Sequence, residues 1–111
     1  MKIPEKIKIG GKTYEVEIDE KLDLGTQHYS AEILYNSLKI RITPQAQQKM
    51  EADFLHEVMH AIYAHLGYSD HDEKQVEELA EALYMVIQDN PCMFKGEYLS
   101  EDLQESEDTK Q

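Results

Sequence analysis

Residues 54–62 read FLHEVMHAI and lie inside a helix that the sequence predicts from Thr43 to Leu66. Apolar side chains recur through this segment with the spacing of one helical face. Thr43 is expected to cap the helix, Pro44 to take its first position, and Gly67 to end it. The predicted apolar stripe consists of Leu55, Val58, Ile62 and Leu66.

The same stretch contains two histidines and a glutamate in a pattern suited to metal chemistry. His56 and His60 are four residues apart, so both imidazoles project from one helix face and can reach a single ion. Zinc accepts imidazole nitrogen at about 2.0–2.1 Å and prefers tetrahedral coordination. Glu57 is rotated by about 100° from His56, so it can reach a zinc-bound water without being a ligand. The pattern predicts a Zn²⁺ site with Glu57 as general base.

A third ligand is expected from a second helix, which the sequence predicts from near Asp72 to Asn90-Pro91. If this helix returns antiparallel to the first, residues some way into it lie level with His60. This condition is met by Glu77, Glu78 and Glu81, whereas Glu73 is expected to lie too near the turn. The predicted apolar stripe of the second helix consists of Val76, Leu79, Ala80, Leu83 and Ile87.

Angular position separates these glutamates. Glu77 and Glu81 flank the apolar stripe, and Glu78 points away from it. Glu77 is therefore the expected third ligand, and Glu81 is expected to orient a histidine as an outer carboxylate. Asp70 and His71, in the predicted loop between the helices, remain alternatives for the third position.

The residues before the first helix alternate between apolar and polar side chains, which predicts two β-hairpins. The first pairs residues 6–9 with 12–18 around Gly10-Gly11, and the second pairs 29–35 with 38–42 around Asn36-Ser37. Residues 20–27 are expected to form a loop. The predicted fold class is α+β, a small antiparallel sheet packed on an antiparallel helical hairpin.

Length, charge and cysteine content limit the function further. The 111 residues suit one domain, assigned to residues 1–95, followed by an acidic tail over 96–111 that is expected to be disordered. A net charge of −12, from 23 acidic against 11 basic residues, argues against nucleic acid as a partner. Cys92 is the single cysteine, so no intramolecular disulfide can form. Neither a signal peptide nor a membrane span is expected, and the cytoplasm is the expected compartment.

Three segments resemble the gluzincin branch of the zincins and, more narrowly, small phage- and prophage-encoded proteins related to the ImmA/IrrE metallopeptidases. They read LKIRI at residues 38–42, LHEVMHAI at 55–62 and VEELAEAL at 76–83. The resemblance implies zinc, a glutamate ligand on the following helix, and hydrolysis of a peptide bond. The chain departs from the family in lacking the asparagine often seen in the second helix, which leaves the ligand register open.

The resulting hypothesis is a zinc metallopeptidase acting on a protein or peptide. The resemblance implies that an edge strand near the metal pairs with extended substrate, and residues 38–42 are the candidate strand. Candidate groups to stabilise the oxyanion are Tyr63, Tyr68, Tyr84 and His71. The alternative hypothesis is a non-catalytic zinc-binding module for protein interactions. An open fourth position at the metal favours the enzyme, and four protein ligands favour the module.

Overall fold

The computed structural model describes residues 1–20 and 30–94, which form an α+β domain as the sequence predicts. A four-stranded sheet packs against two helices. The strands are β1 (Lys6–Ile9), β2 (Lys12–Ile18), β3 (Ala31–Leu34) and β4 (Lys39–Ile42). The helices are α1 (Gln47–His65) and α2 (Glu73–Asp89), followed by a short 3-10 helix, Pro91–Phe94.

The sheet is mixed, although a purely antiparallel sheet was predicted. Each predicted hairpin forms, but the two are joined by a parallel pairing of β2 with β4, in the strand order β1-β2-β4-β3. Alternation of apolar and polar residues determines which side chains face the core and leaves the neighbouring strand undetermined. The observed order puts β4, whose Ile40 and Ile42 are fully buried, at an interior position.

The first hairpin turns at Gly10-Gly11, as predicted. Both glycines have positive φ, 60° and 85°, which is the conformation that a two-residue turn of this type requires. Gly10 also lies against the imidazole of His65 at the end of α1, because a Cβ added at Gly10 would come within 2.2 Å of the His65 Nδ1. The turn is therefore packed against the last turn of α1.

The main core lies between the sheet and α1. Tyr14, Ile40 and Ile42 from the sheet meet Phe54 and Val58 from α1, all of them buried. Burial of side chains of this size contributes about 1.5–3 kcal/mol each. This packing holds the face of α1 that carries the histidines at the margin of the sheet.

A second, smaller core joins the two helices. Leu55 of α1 contacts Ala80 and Ile87 of α2. The predicted stripes are only partly buried, since Leu66 is 63% exposed and Leu79 and Leu83 remain 42% and 37% exposed. Among the described elements, α2 packs on α1 and on the short 3-10 helix, and it buries a narrower strip than its apolar pattern suggests.

The helix ends were predicted with mixed success. Helix α2 begins beside Asp72, as expected, and Asp72 caps it by accepting from the backbone N–H groups of Lys74 and Gln75. Thr43 was expected to cap α1, but α1 begins at Gln47, after Ala46. The Thr43 hydroxyl and N–H instead both donate to the Ser30 carbonyl, at 3.1 and 2.9 Å. Thr43 therefore extends the link between β3 and β4.

Two sequence expectations concern residues outside the described part of the chain. The predicted acidic tail over 96–111 lies outside it, as does most of the predicted loop over 20–27. Among the described residues, neither α1 nor α2 is long and apolar enough to cross a bilayer.

Candidate metal centre

Three side chains converge where α1 meets the start of α2. The His56 Nε2 lies 2.5 Å from the Glu73 Oε1, and the His60 Nε2 lies 3.1 Å from the Glu73 Oε2. One donor atom from each of the three residues lies within 4.8 Å of the others. Two imidazole nitrogens and a carboxylate at these separations form a possible metal-binding triad.

Local structure explains why these groups meet. The helical spacing of His56 and His60 puts both rings on one face of α1, with ring centroids 5.0 Å apart. Glu73 is the first residue of α2, directly after its cap Asp72. The cap sets the direction in which α2 begins, so it also sets the position of the Glu73 carboxylate opposite the two imidazoles.

The surroundings of Glu73 and His60 shift their pKa values down. Burial by itself raises the pKa of Glu73, but the hydrogen bond from His56 and the nearby charges of both histidines bring it below its usual value. Burial is the largest cause that lowers the pKa of His60, and Glu73 works in the opposite direction. A lowered pKa keeps the His60 ring neutral, the form in which a histidine binds a metal.

Glu57 lies next to the triad but does not belong to it. Its side chain is only 8% exposed, and it forms no hydrogen bond or ion pair with any residue of the described chain. Burial, followed by the charges of Glu73, Asp53 and Glu32, raises the pKa of Glu57 to about 8. Glu57 is therefore a buried carboxyl group beside the candidate metal position, without a competing partner.

Glu73 occupies the place that the sequence analysis assigned to Glu77. Glu73 was predicted to lie too near the turn, but the loop after α1 already runs back along that helix. The ring of His71 in this loop meets the ring of His60 edge to edge, with ring centroids 5.1 Å apart. The loop therefore already covers the distance from the end of α1 back to His60, which the prediction had assigned to the first turn of α2. As a result α2 begins level with the histidines.

The other predicted acids lie elsewhere. Glu77 is exposed and lines a smaller cleft beside the triad. Glu81, predicted to orient a histidine, is exposed further along α2 and forms no hydrogen bond to either histidine in the described structure. Glu78 is exposed, and Asp70 lines the larger of two clefts that meet at the triad.

His71 contacts the far side of His60. The two Nδ1 atoms are 2.8 Å apart, and the His71 Nε2 lies 2.9 Å from the Tyr68 carbonyl oxygen. The sequence analysis considered His71 only as a ligand or an oxyanion donor. His71 lies beyond the end of α1 at His65, so helical periodicity could not associate the two rings.

A main cleft of about 470 Å³ opens over the triad. One wall is β3, through Ala31, Glu32 and Ile33, and the triad forms the floor. The smaller cleft, of about 320 Å³, continues past the triad towards Asp53 and Glu77. Since Ala31 lines both clefts, β3 borders the groove on either side of the candidate metal position.

The structure changes which strand lies at the sheet edge. Residues 38–42 were predicted as the edge strand near the metal, but β4 lies between β2 and β3. Among the described strands, β3 pairs only with β4. The free backbone edge of β3, not that of β4, is therefore the strand edge beside the triad.

Of the candidate oxyanion donors, only His71 lines the main cleft. Tyr63 and Tyr68 pack edge to face, and the Tyr84 hydroxyl donates to Glu51 at 2.7 Å. Tyr35, which the sequence analysis did not consider, lines the main cleft instead. Burial, followed by the charge of Glu57, raises the pKa of Tyr35, so its hydroxyl retains its proton.

The chain was also compared with known proteins. No protein family, curated protein or solved structure matches it.

Proposed function

We propose that this chain is a zinc-dependent metallopeptidase of the zincin type, similar to the ImmA/IrrE family. The observation that carries the proposal is the convergence of His56, His60 and Glu73 beside the unpaired Glu57. Two histidines and one carboxylate are a common ligand set for catalytic zinc, with the fourth position left to water or substrate.

The chemistry of the three groups fits zinc. A borderline-soft ion accepts imidazole nitrogen and carboxylate oxygen together, whereas calcium and magnesium prefer sites made of oxygen alone. The Glu73 carboxylate oxygens and unprotonated imidazole Nε2 atoms are both electron-pair donors. Close contact between them therefore requires a proton or a cation between each pair. One ion bound by all three groups meets this requirement and leaves both rings neutral.

Glu57 has the position and surroundings of a general base. Zinc supplies Lewis acidity, which polarises the carbonyl of the scissile bond and lowers the pKa of water to about 7. Glu57 takes a proton from the attacking water and delivers it to the departing nitrogen. Burial raises the pKa of Glu57, and a nearby cation lowers it so that the carboxylate can accept the proton.

Strand β3 provides a means of holding the substrate. An extended peptide added to the outer edge of β3 would pass over the triad and occupy both clefts, by β-augmentation. The backbone hydrogen bonds of such a pairing fix the register of the peptide. The residues of the clefts then select its side chains.

Zinc binding by the whole chain tests the ligand assignment. Titration against a chromophoric chelator should give one zinc per chain, and Glu73→Ala should weaken binding by at least tenfold, since it removes one of three protein ligands. Glu77→Ala is the matched control one turn along the same helix, and it should leave zinc affinity within about twofold of the parent. His56→Ala and His60→Ala should each abolish tight binding.

Two outcomes would contradict the proposal. The first is a parent chain that binds no zinc. The second is a loss of zinc affinity in Glu77→Ala with parent-like affinity in Glu73→Ala, which would mean that Glu73 is not the third ligand. X-ray absorption spectroscopy at the zinc edge reports the number of ligands bound to the metal. Four protein ligands and no open position would favour a structural zinc in a protein-interaction module.

A further inference from the structure

We propose that His71 is the positioning residue of the zinc site, which holds His60 in the tautomer that binds metal through Nε2. This inference rests on the proposed zinc site and assigns His71 a role that excludes its being a ligand. It follows from the hydrogen bonds that connect Tyr68, His71 and His60.

The proton positions along this chain follow from its acceptor. The Tyr68 carbonyl oxygen can only accept, so the His71 Nε2 donates to it over 2.9 Å. A neutral imidazole has one donating and one accepting nitrogen, so the His71 Nδ1 accepts. The His60 Nδ1, 2.8 Å away, is then the donor, and the His60 Nε2 presents its lone pair to the candidate metal position beside Glu73.

The loop between the helices holds this arrangement in place. Gly67 ends α1 with a positive φ of 98°, and the Tyr68 N–H donates to the Tyr63 carbonyl at 3.1 Å. The His71 ring meets the His60 ring edge to edge, with the two planes only 21° apart, and it also contacts the Tyr63 ring at a centroid distance of 5.6 Å. The acceptor for His60 is thus fixed both by backbone geometry and by ring packing.

The same geometry excludes His71 as a ligand. Its Nδ1 faces the Nδ1 of His60, which is the side of that ring turned away from Glu73. Metal-binding histidines commonly donate their second N–H to a carboxylate or a backbone carbonyl. Here the His71 imidazole is the acceptor instead, and it in turn donates to the Tyr68 carbonyl oxygen.

Three variants of the full chain test the inference. His71→Phe keeps a ring against His60 and Tyr63 but has no acceptor. His71→Gln keeps a carbonyl that can accept from the His60 Nδ1. His65→Phe changes another histidine near the end of α1, which packs on Gly10 and has no contact with the triad in the described structure.

Zinc affinity should fall about 10–100-fold in His71→Phe, as is typical when the outer partner of a metal-bound histidine is lost. His71→Gln should recover most of the affinity, and His65→Phe should bind like the parent. Circular dichroism of each metal-free variant shows whether it is folded. If His71→Phe does not fold, the imidazole spectra of the metal-loaded parent decide, because metal coupling to a nitrogen of His71 or the lack of a proton on the His60 Nδ1 would overturn the inference.

A spectroscopic readout separates positioning from general structural damage. In the parent loaded with ¹¹³Cd as a zinc analogue, ¹⁵N spectra of the imidazoles should show metal coupling at the His60 Nε2 and a proton on its Nδ1. The Nδ1 proton should exchange with solvent much faster in His71→Phe and stay protected in His71→Gln and His65→Phe.

The inference is overturned if His71→Phe binds zinc as tightly as the parent, or if a nitrogen of His71 couples to the metal. Either result leaves the zinc site itself intact when the parent binds one equivalent. A parent that binds neither zinc nor cadmium overturns the proposed function together with the inference.

Discussion

Glu57 and Glu73 are neighbouring carboxyl groups whose surroundings differ. Glu57 is buried and has no partner in the described structure, and burial is the main reason that its pKa rises to about 8. The Glu73 side chain is 61% exposed and contacts two imidazoles, and its pKa is lowered. Environments that push two pKa values apart distinguish a group that exchanges protons from one that remains charged. Glu57 suits the first role and Glu73 the role of ligand.

This difference predicts how Glu57→Gln behaves. The amide is nearly the same size as the carboxyl group, so folding and zinc affinity should stay close to those of the parent. An amide cannot accept a proton from water at neutral pH, so peptide hydrolysis should fall by about 10²–10⁴-fold. Zinc content and the cleavage rate of a peptide library, measured on the same preparation, check both parts.

Glu77→Gln is the control, because it changes a carboxylate that lies outside the triad. This variant should retain part of the parent's peptide-cleavage rate. A Glu57→Gln variant that cleaves as fast as the parent would rule out Glu57 as the base. Loss of zinc together with loss of activity would instead indicate that Glu57 helps to build the site.

Sequence reasoning predicted the part of the site that lies within one helix. The His56 and His60 rings lie 5.0 Å apart on one face of α1, as helical periodicity predicts, and Glu57 lies beside them in the same clefts. The contributions of Glu73 and His71 depend on the path of the loop between the helices. That path is determined by the Gly67 turn, the packing of His71 on His60 and the cap at Asp72, none of which has a periodic signature.

At the level of the elements, strand alternation predicted both hairpins and left their mutual arrangement open. The two hairpins have similar patterns, so either strand of the second could have paired with β2. Burial explains the observed arrangement, because β4 carries Ile40 and Ile42 and becomes an interior strand. As a consequence β3 lies at the edge beside the triad.

The first hairpin allows a matched test of how the sheet is attached to α1. Gly10→Ala and Gly11→Ala both place a side chain at positive φ, which costs about 1–2 kcal/mol. Only at Gly10 does the added Cβ collide with another group, the His65 ring; at Gly11 nothing lies within 4 Å. Urea denaturation should therefore show a larger loss in the free energy of unfolding for Gly10→Ala.

A double-mutant cycle identifies the cause of that difference. In a His65→Ala background the two glycine substitutions should cost nearly the same, because the colliding ring is gone. Equal costs in the parent background would show that the His65 ring moves aside freely and does not anchor the turn.

At the scale of the whole molecule, charge is the most pronounced property. The chain carries a net charge of −12, and six of its 23 acids line the two clefts. The two clefts are lined by Glu32, Asp53, Glu57, Asp70, Glu73 and Glu77, and within the described chain no lysine or arginine lines either of them. Lys49 pairs with Asp53 at 2.7 Å and Arg41 with Glu32 at 3.1 Å, whereas Glu77 has no ion-pair partner in the described structure.

This charge distribution predicts a preference for basic peptides. Extended peptides of equal length, one with lysines and one with glutamates around its centre, can be titrated into zinc-loaded Glu57→Gln protein by calorimetry, so that no cleavage occurs. An exposed ion pair contributes about 0.2–1 kcal/mol, so each well-placed lysine should tighten binding by up to about fivefold. Salt at about 1 M, where the screening length is about 3 Å, should remove most of the preference.

Adding Glu77→Gln should weaken binding of the lysine peptide, because Glu77 lines the smaller cleft. Glu81→Gln, on the same helix and outside both clefts, should have little effect. Equal affinity for the two peptides at low salt would mean that the acidic groove does not select its substrate by charge.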